Sequence, residues 1–234
     1  EGKFLLHLPD LYHELAHPIF KDENDPLVEP FQHKFWESLL NVLSHIEIEK
    51  VKEQRRRGPQ HFYDLLCCWE DAWVRFWLEE FFCDLFGIYT LGPAFAWAHI
   101  HLVLKRGGNP FYVPVLRATT HPADDARMRV MIYALRNAEF QQEADLIHKS
   151  WQLLLIQIDA KPEPEYHRCY PDAVLKIIAQ NARCAVEGVK CRIATPQTQG
   201  AVHSILNQAW TKFWQNPIGY VEWEKQAIAG LLGN

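Results

Sequence analysis

The sequence predicts a mainly α-helical protein with little or no β-sheet. Apolar residues recur at three- and four-residue steps along almost the whole chain, and alternating strand-like runs bounded by turn residues are scarce. With 48% hydrophobic residues, nine Trp and thirteen Phe among 234 residues, there is ample material for a large core, which excludes disorder.

The elements follow in order. Asp10 is placed to cap a first helix, and Pro18, lacking an amide donor, is expected to kink or end it early. The Asp-, Glu-, Asn- and Pro-rich composition from Lys21 to Pro30 marks a surface loop. Helical spacing resumes from Phe31 to Lys52 through Phe35, Leu39, Val42, Leu43 and Ile46, and the basic run Lys50 to Arg57 before Gly58-Pro59 reads as a solvated turn. Trp69, Trp73, Phe76, Trp77, Phe81 and Leu85 predict one long central helix from His61 to Thr90. Phe81 to Leu104 holds no Lys, Arg or Glu, which raises the question of a membrane span. Asp84, Gly92-Pro93, His99 and His101 favour a buried helix pair joined at Gly92-Pro93 instead. A break at Arg106 to Pro110 leads to a helix from about Asp124 to Asn137. Further helices are expected over Ala138–Ile158, Pro171–Val186, Thr198–Trp214 and up to Leu232, with Lys161-Pro162-Glu163-Pro164 as a stiff linker.

A formal charge of -5 offers no global field for nucleic acid or an anionic surface, so nucleic acid is not an expected partner. The six cysteines form no CxxC pair and read as reduced, mostly buried thiols, which points to the cytoplasm.

The chemistry-bearing stretch is His13-Glu14-Leu15-Ala16-His17, an HExxH pattern. Residues four apart share a helix face, so His13 and His17 can present two imidazoles to one metal ion, with Glu14 beside it as a base for water on that metal. The bare pattern occurs by chance on amphipathic helices, so a third ligand must decide its meaning. Glu80 and Asp84, four apart on an otherwise Trp- and Phe-rich helix, would be costly to bury without partners. Glu80 is the leading third ligand, ahead of Glu79 and Asp84. Asp84 is placed to accept the ring N–H of a ligand histidine. Glu79, about 100° round the helix from Glu80, is expected to point elsewhere. His99 and His101, two apart, cannot both face one metal and read as core or surface residues.

HExxH followed 63 positions later by Glu80-x-x-x-Asp84 resembles the gluzincin metallopeptidases, and Gly87 fits their tight helix packing. Thr120-His121-Pro122-Ala123-Asp124-Asp125-Ala126-Arg127 is similar to the Thr-His-Pro…Arg segment of CAAX-protease-like members, a likeness that implies His121 or Arg127 near the oxyanion. The resemblance covers roughly residues 9 to 129. It implies a zincin-like helical core with a C-terminal helical extension, divided as a zinc-binding region 1–137 and a helical region 138–234. The implied activity is peptide-bond hydrolysis with zinc as cofactor: His13, His17 and Glu80 as ligands, Glu14 as general base, Asp84 orienting a ligand histidine, and a protein or peptide as substrate. Zincins place a β-sheet before the active-site helix, and little precedes His13, so the expectation is either that the sheet lies in upstream sequence or that the protein uses a different substrate platform, with an upstream domain or a partner protein as a further expected contact. The rival expectation is a non-catalytic, zinc-stabilised helical interaction module.

Overall fold

Proline and glycine punctuate the chain, and between them the apolar spacing folds as helix. The computed structural model describes residues 3–21, 25–56, 60–198 and 200–232, and among these no strand occurs. The helices are α1 (Phe4–Lys21), α2 (Glu29–Arg56), α3 (Gln60–Ala72), α4 (Leu78–Leu91), α5 (Pro93–Arg106), α6 (Asp124–Asn137), α7 (Gln141–Gln157), a single turn α8 (Tyr166–Cys169), α9 (Asp172–Gly188), α10 (Ala201–Gln215) and α11 (Tyr220–Leu232). The fold is mainly α, as the periodicity requires.

α4 is the central strut, because its apolar residues occupy every face and each residue from Phe81 to Tyr89 is buried. α1, α5, α6 and α9 pack around it, and α2 lies along α9. One continuous apolar core runs from Ala16 to Ala194, and residues on both sides of position 137 build it. A smaller core of Leu5, Leu6, Leu91, Ala94, Trp210, Phe213 and Tyr220 ties the start of α1 to α10 and α11.

Several local expectations change. The stretch from residue 60 to 91 stays helical throughout, but Trp73–Trp77 form a π turn between α3 and α4. Such a turn shifts the register of the following helix. Here Trp73 and Trp77 are both buried, their indole N–H groups donating to the carbonyls of Cys169 (3.2 Å) and Thr119 (2.8 Å). Asp10 does not cap α1, which begins earlier, at Phe4. The cap comes from α11: the backbone N–H groups of Lys3 and Leu5 donate to the buried Glu224 carboxylate at 2.5 and 2.7 Å. Pro18 does not end α1 either. The helix continues to Lys21, its last turn held by the Phe20 ring against Phe31, Phe35 and Phe82.

The joint at Gly92-Pro93 forms as expected. Gly92 takes φ +74°, a conformation that side chains resist, and Pro93 opens α5. No described helix is long and apolar enough to cross a membrane. In the basic run, Lys50 is buried against Glu70 at 2.5 Å rather than solvated, while residues 57–59, like 22–24 of the acidic loop, lie outside the described residues. Cys83 and Cys169 are buried, the other four cysteines are partly exposed, and all six are free thiols.

Candidate metal centre

The contact between α1 and α4 sets the site. Along α1 the helical repeat stacks Asp10, His13, Glu14 and His17 toward α4, which answers with Glu79, Glu80, Cys83 and Asp84. Each imidazole is held at Nδ1 by its own carboxylate. His13 Nδ1 lies 2.9 Å from Asp84 Oδ1, and His17 Nδ1 lies 2.7 Å from Glu79 Oε1. Each Nδ1 thus meets an acceptor, and each ring turns its Nε2 to the other side, toward Glu80.

The two Nε2 atoms approach different oxygens of Glu80. His13 Nε2 is 3.4 Å from Glu80 Oε2, and His17 Nε2 is 3.9 Å from Glu80 Oε1. A tetrahedral zinc site has ligand–ligand edges of roughly 3.3–3.4 Å, so Glu80 would have to shift to bring one oxygen and both imidazoles onto one ion. Among the described residues Glu80 Oε2 is buried and makes no well-formed hydrogen bond, its nearest donors being His13 Nε2 at 3.4 Å and His121 Nε2 at 3.7 Å.

Cys83 offers a competing donor, since one ligand atom from each of His13, His17 and Cys83 lies within 4.8 Å of the others. Charge separates the two candidates. Burial, reinforced by the negative Asp84, Glu80 and Glu79, pushes the Cys83 thiol far up in the metal-free protein, so it would release its proton only to a bound ion. Burial also opposes ionisation of Glu80, but the His13 hydrogen bond and the charges of Arg127, His13 and His121 outweigh it and hold the carboxyl below its ordinary value. In the metal-free protein Glu80 is thus the anion of the pair and Cys83 the neutral thiol. In the absence of metal, burial works against protonation of His13, yet its bonds to Asp84 and Glu80 prevail and raise it to about 9.

Asp84 is itself locked from behind. Arg127 Nε and Nη2 donate to its two oxygens, both at 2.7 Å, and both residues are buried. Burial would raise the Asp84 carboxyl, but the guanidinium reverses this and holds it well below the carboxylate range. His121 reaches the site from the loop before α6, its Nε2 3.7 Å from Glu80 Oε2 and its ring about half exposed. Glu14 is exposed and lines the adjoining cavity, about 260 Å³ in volume, together with Asp10, Phe95, His99, Leu102, Arg106, His121 and Arg127.

All seven site residues expected from the sequence thus meet in one neighbourhood. Glu79 was expected to point away and does not: a rotation of about 100° from Glu80 moves it only to the flank of the same contact, where His17 on α1 meets it. Its position next to Glu80 was the available signal. Cys83 and Arg106 were also missed, the first masked by its reading as an ordinary core thiol. His99 and His101 do diverge: His99 Nε2 lies 3.3 Å from the Asp124 carbonyl at the cavity, and His101 packs on Trp210 and Phe213. Comparison of the chain with protein-family models, with curated proteins and with solved structures finds no match in any of the three.

Proposed function

We propose that this protein is a zinc-dependent peptide-bond hydrolase of gluzincin type, with His13, His17 and Glu80 as metal ligands. The observation that carries this reading is the Glu80 carboxylate set between two imidazoles, His13 Nε2 3.4 Å from Oε2 and His17 Nε2 3.9 Å from Oε1, each imidazole being tied at Nδ1 to a second carboxylate. A bound zinc ion supplies Lewis-acid polarisation of the scissile carbonyl and lowers the pKa of a water toward about 7.

The chain's own residues do the rest. Glu14, next to His13 and open to the cavity, takes a proton from the attacking water and passes it to the leaving amine nitrogen. His121 stands at the cavity edge, where its ring N–H can meet the oxygen on which negative charge grows. Arg127 has Nε and Nη2 committed to Asp84, so it acts as a positioning residue: it keeps Asp84 ionised, and Asp84 keeps His13 in the tautomer with Nε2 free.

Glu14→Gln is expected to keep stoichiometric zinc, measured by elemental analysis, while losing hydrolysis of a peptide library. Glu80→Ala is expected to lose the metal. Zinc retained at full occupancy in Glu80→Ala would refute that ligand, and activity surviving in Glu14→Gln would refute the mechanism.

The proximity of Cys83 favours a second reading, in which a closed His13–His17–Glu80–Cys83 set holds a structural ion in a non-catalytic interaction module. Cobalt substitution separates the two. A thiolate-to-cobalt charge-transfer band that disappears in Cys83→Ser supports the closed site, and its absence supports the hydrolase.

A further inference from the structure

The cavity beside the candidate metal centre has two kinds of wall. α1 and α4 contribute the chemistry, through His13, Glu14 and Glu80. α5 contributes a separate face on which Phe95, His99, Leu102 and Arg106 follow one another at helical spacing. This second face takes no part in holding the metal.

Glu14 and Glu80 belong to the first wall, and the other charged groups around the cavity differ in what they have free. Arg127 is bonded to both oxygens of Asp84. Asp10, on the opposite wall, has His7 at 3.5 Å, and burial pushes its carboxyl toward the neutral form. His99 is buried, and burial together with Arg127 pushes it down to about 4, so it is neutral at ordinary pH. Arg106 differs from all of these. Among the described residues its Nη2 is engaged by Asp124 Oδ1, no other of its donors has a partner, and its side chain is 47% exposed. A guanidinium carries five N–H donors in a planar fork, so most of this fork remains available at the cavity.

We infer that the α5 face is a specificity subsite for a carboxylate-bearing substrate residue, with the Arg106 guanidinium receiving the carboxylate and Phe95 and Leu102 flanking its apolar part. The inference rests on the hydrolase reading above, because it places this residue beside the scissile bond. The carboxylate has two sources, the free C-terminus of a short peptide or an Asp or Glu side chain, and both would be recognised by the same bidentate geometry.

The test uses the zinc-loaded full chain and peptide hydroxamates, whose hydroxamate end takes the metal in every case. One probe ends in a free leucine carboxylate, a second in leucinamide, and a third in an aspartate α-amide with only its side-chain carboxylate. Titration calorimetry is expected to show at least one carboxylate probe binding about tenfold or more tightly than leucinamide. Which of the two gains identifies the source. Arg106→Ala is expected to erase the preference and Arg106→Lys to keep part of it, with the acid-to-amide ratio inside each protein controlling for altered folding. Equal binding of acid and amide probes by the unmodified protein would overturn the subsite while leaving the metal site standing. Failure of every probe to bind would overturn the metal-centred reading, and the subsite with it.

Discussion

His99 shows how strongly the cavity moves a titratable group. Burial, with a further push from Arg127, holds it at about 4, against about 6.5 in an unfolded chain. Between these values the unfolded state binds the extra proton, so stability is expected to rise with pH from about 4 to 6.5, by on the order of 3 kcal/mol from this residue. His101, pushed down to about 4 by burial, acts in the same direction. His13, with a folded value of about 9, works the other way, but only above about pH 5.5, where the unfolded imidazole begins to lose its proton, so the rise is read from about pH 4 to 5.5. Urea unfolding of the metal-free protein across this range should show the slope, and His99→Gln should flatten it. Among the site carboxylates, Glu79 is the clean probe. Removing Asp84 would strand the buried Arg127, a loss of about 3–5 kcal/mol that would obscure any metal effect. Glu79 is partly exposed, and among the described residues its one bonding partner is His17. Glu79→Ala is expected to weaken zinc binding by about 10- to 100-fold in a chelator competition assay with little loss of fold stability.

At the scale of elements, α1 is the member that needs external support. Pro9 and Pro18 each remove a backbone donor from it. Its N-terminus is finished by Glu224, which also accepts a bond from Tyr220 Oη at 3.0 Å. Glu224→Ala leaves two N–H groups without acceptors and is expected to cost about 1–3 kcal/mol in urea unfolding. Because the same helix carries His13 and His17, zinc affinity should fall with it. The α4–α5 hairpin depends on Gly87, where an added Cβ would come within 2.4 Å of the Phe95 ring. Gly87→Ala must displace Phe95, and overpacking of this kind costs about 1–3 kcal/mol. Since Phe95 also lines the cavity, ligand binding should weaken alongside the drop in melting temperature.

For the whole molecule, the ion would act as a staple between chain positions far apart. His13 and His17 on α1 and Glu80 on α4 belong to the same contact, and α4 is the strut on which α5, α6 and α9 also pack. A ligand that binds only the folded state stabilises it by mass action, about 2.7 kcal/mol at a concentration 100 times its Kd. Zinc is therefore expected to raise the melting temperature and a chelator to lower it. Hydrogen exchange in the chelated protein should accelerate first in α1, which depends on the small core around Trp210 and on the metal contact, and last in α4.

Sequence periodicity determined the helices themselves, and most closely where chemistry marked both ends. α6 begins at Asp124-Asp125, whose charges favour a helix N-terminus, and closes at Asn137, the bounds its sequence predicts. The pairing of HExxH with Glu80 and Asp84 was equally legible, because two polar spacings on apolar helices signal a purpose that local propensity cannot. What tertiary structure alone decided were contacts between residues remote in the chain. Glu224 caps a helix more than 200 positions away, Arg127 locks Asp84 from α6, and Glu79 meets His17 only because of the way α1 lies on α4. The physical reason is common to all three: helical spacing specifies which residues share a face, whereas the partner of that face is set by how whole helices pack.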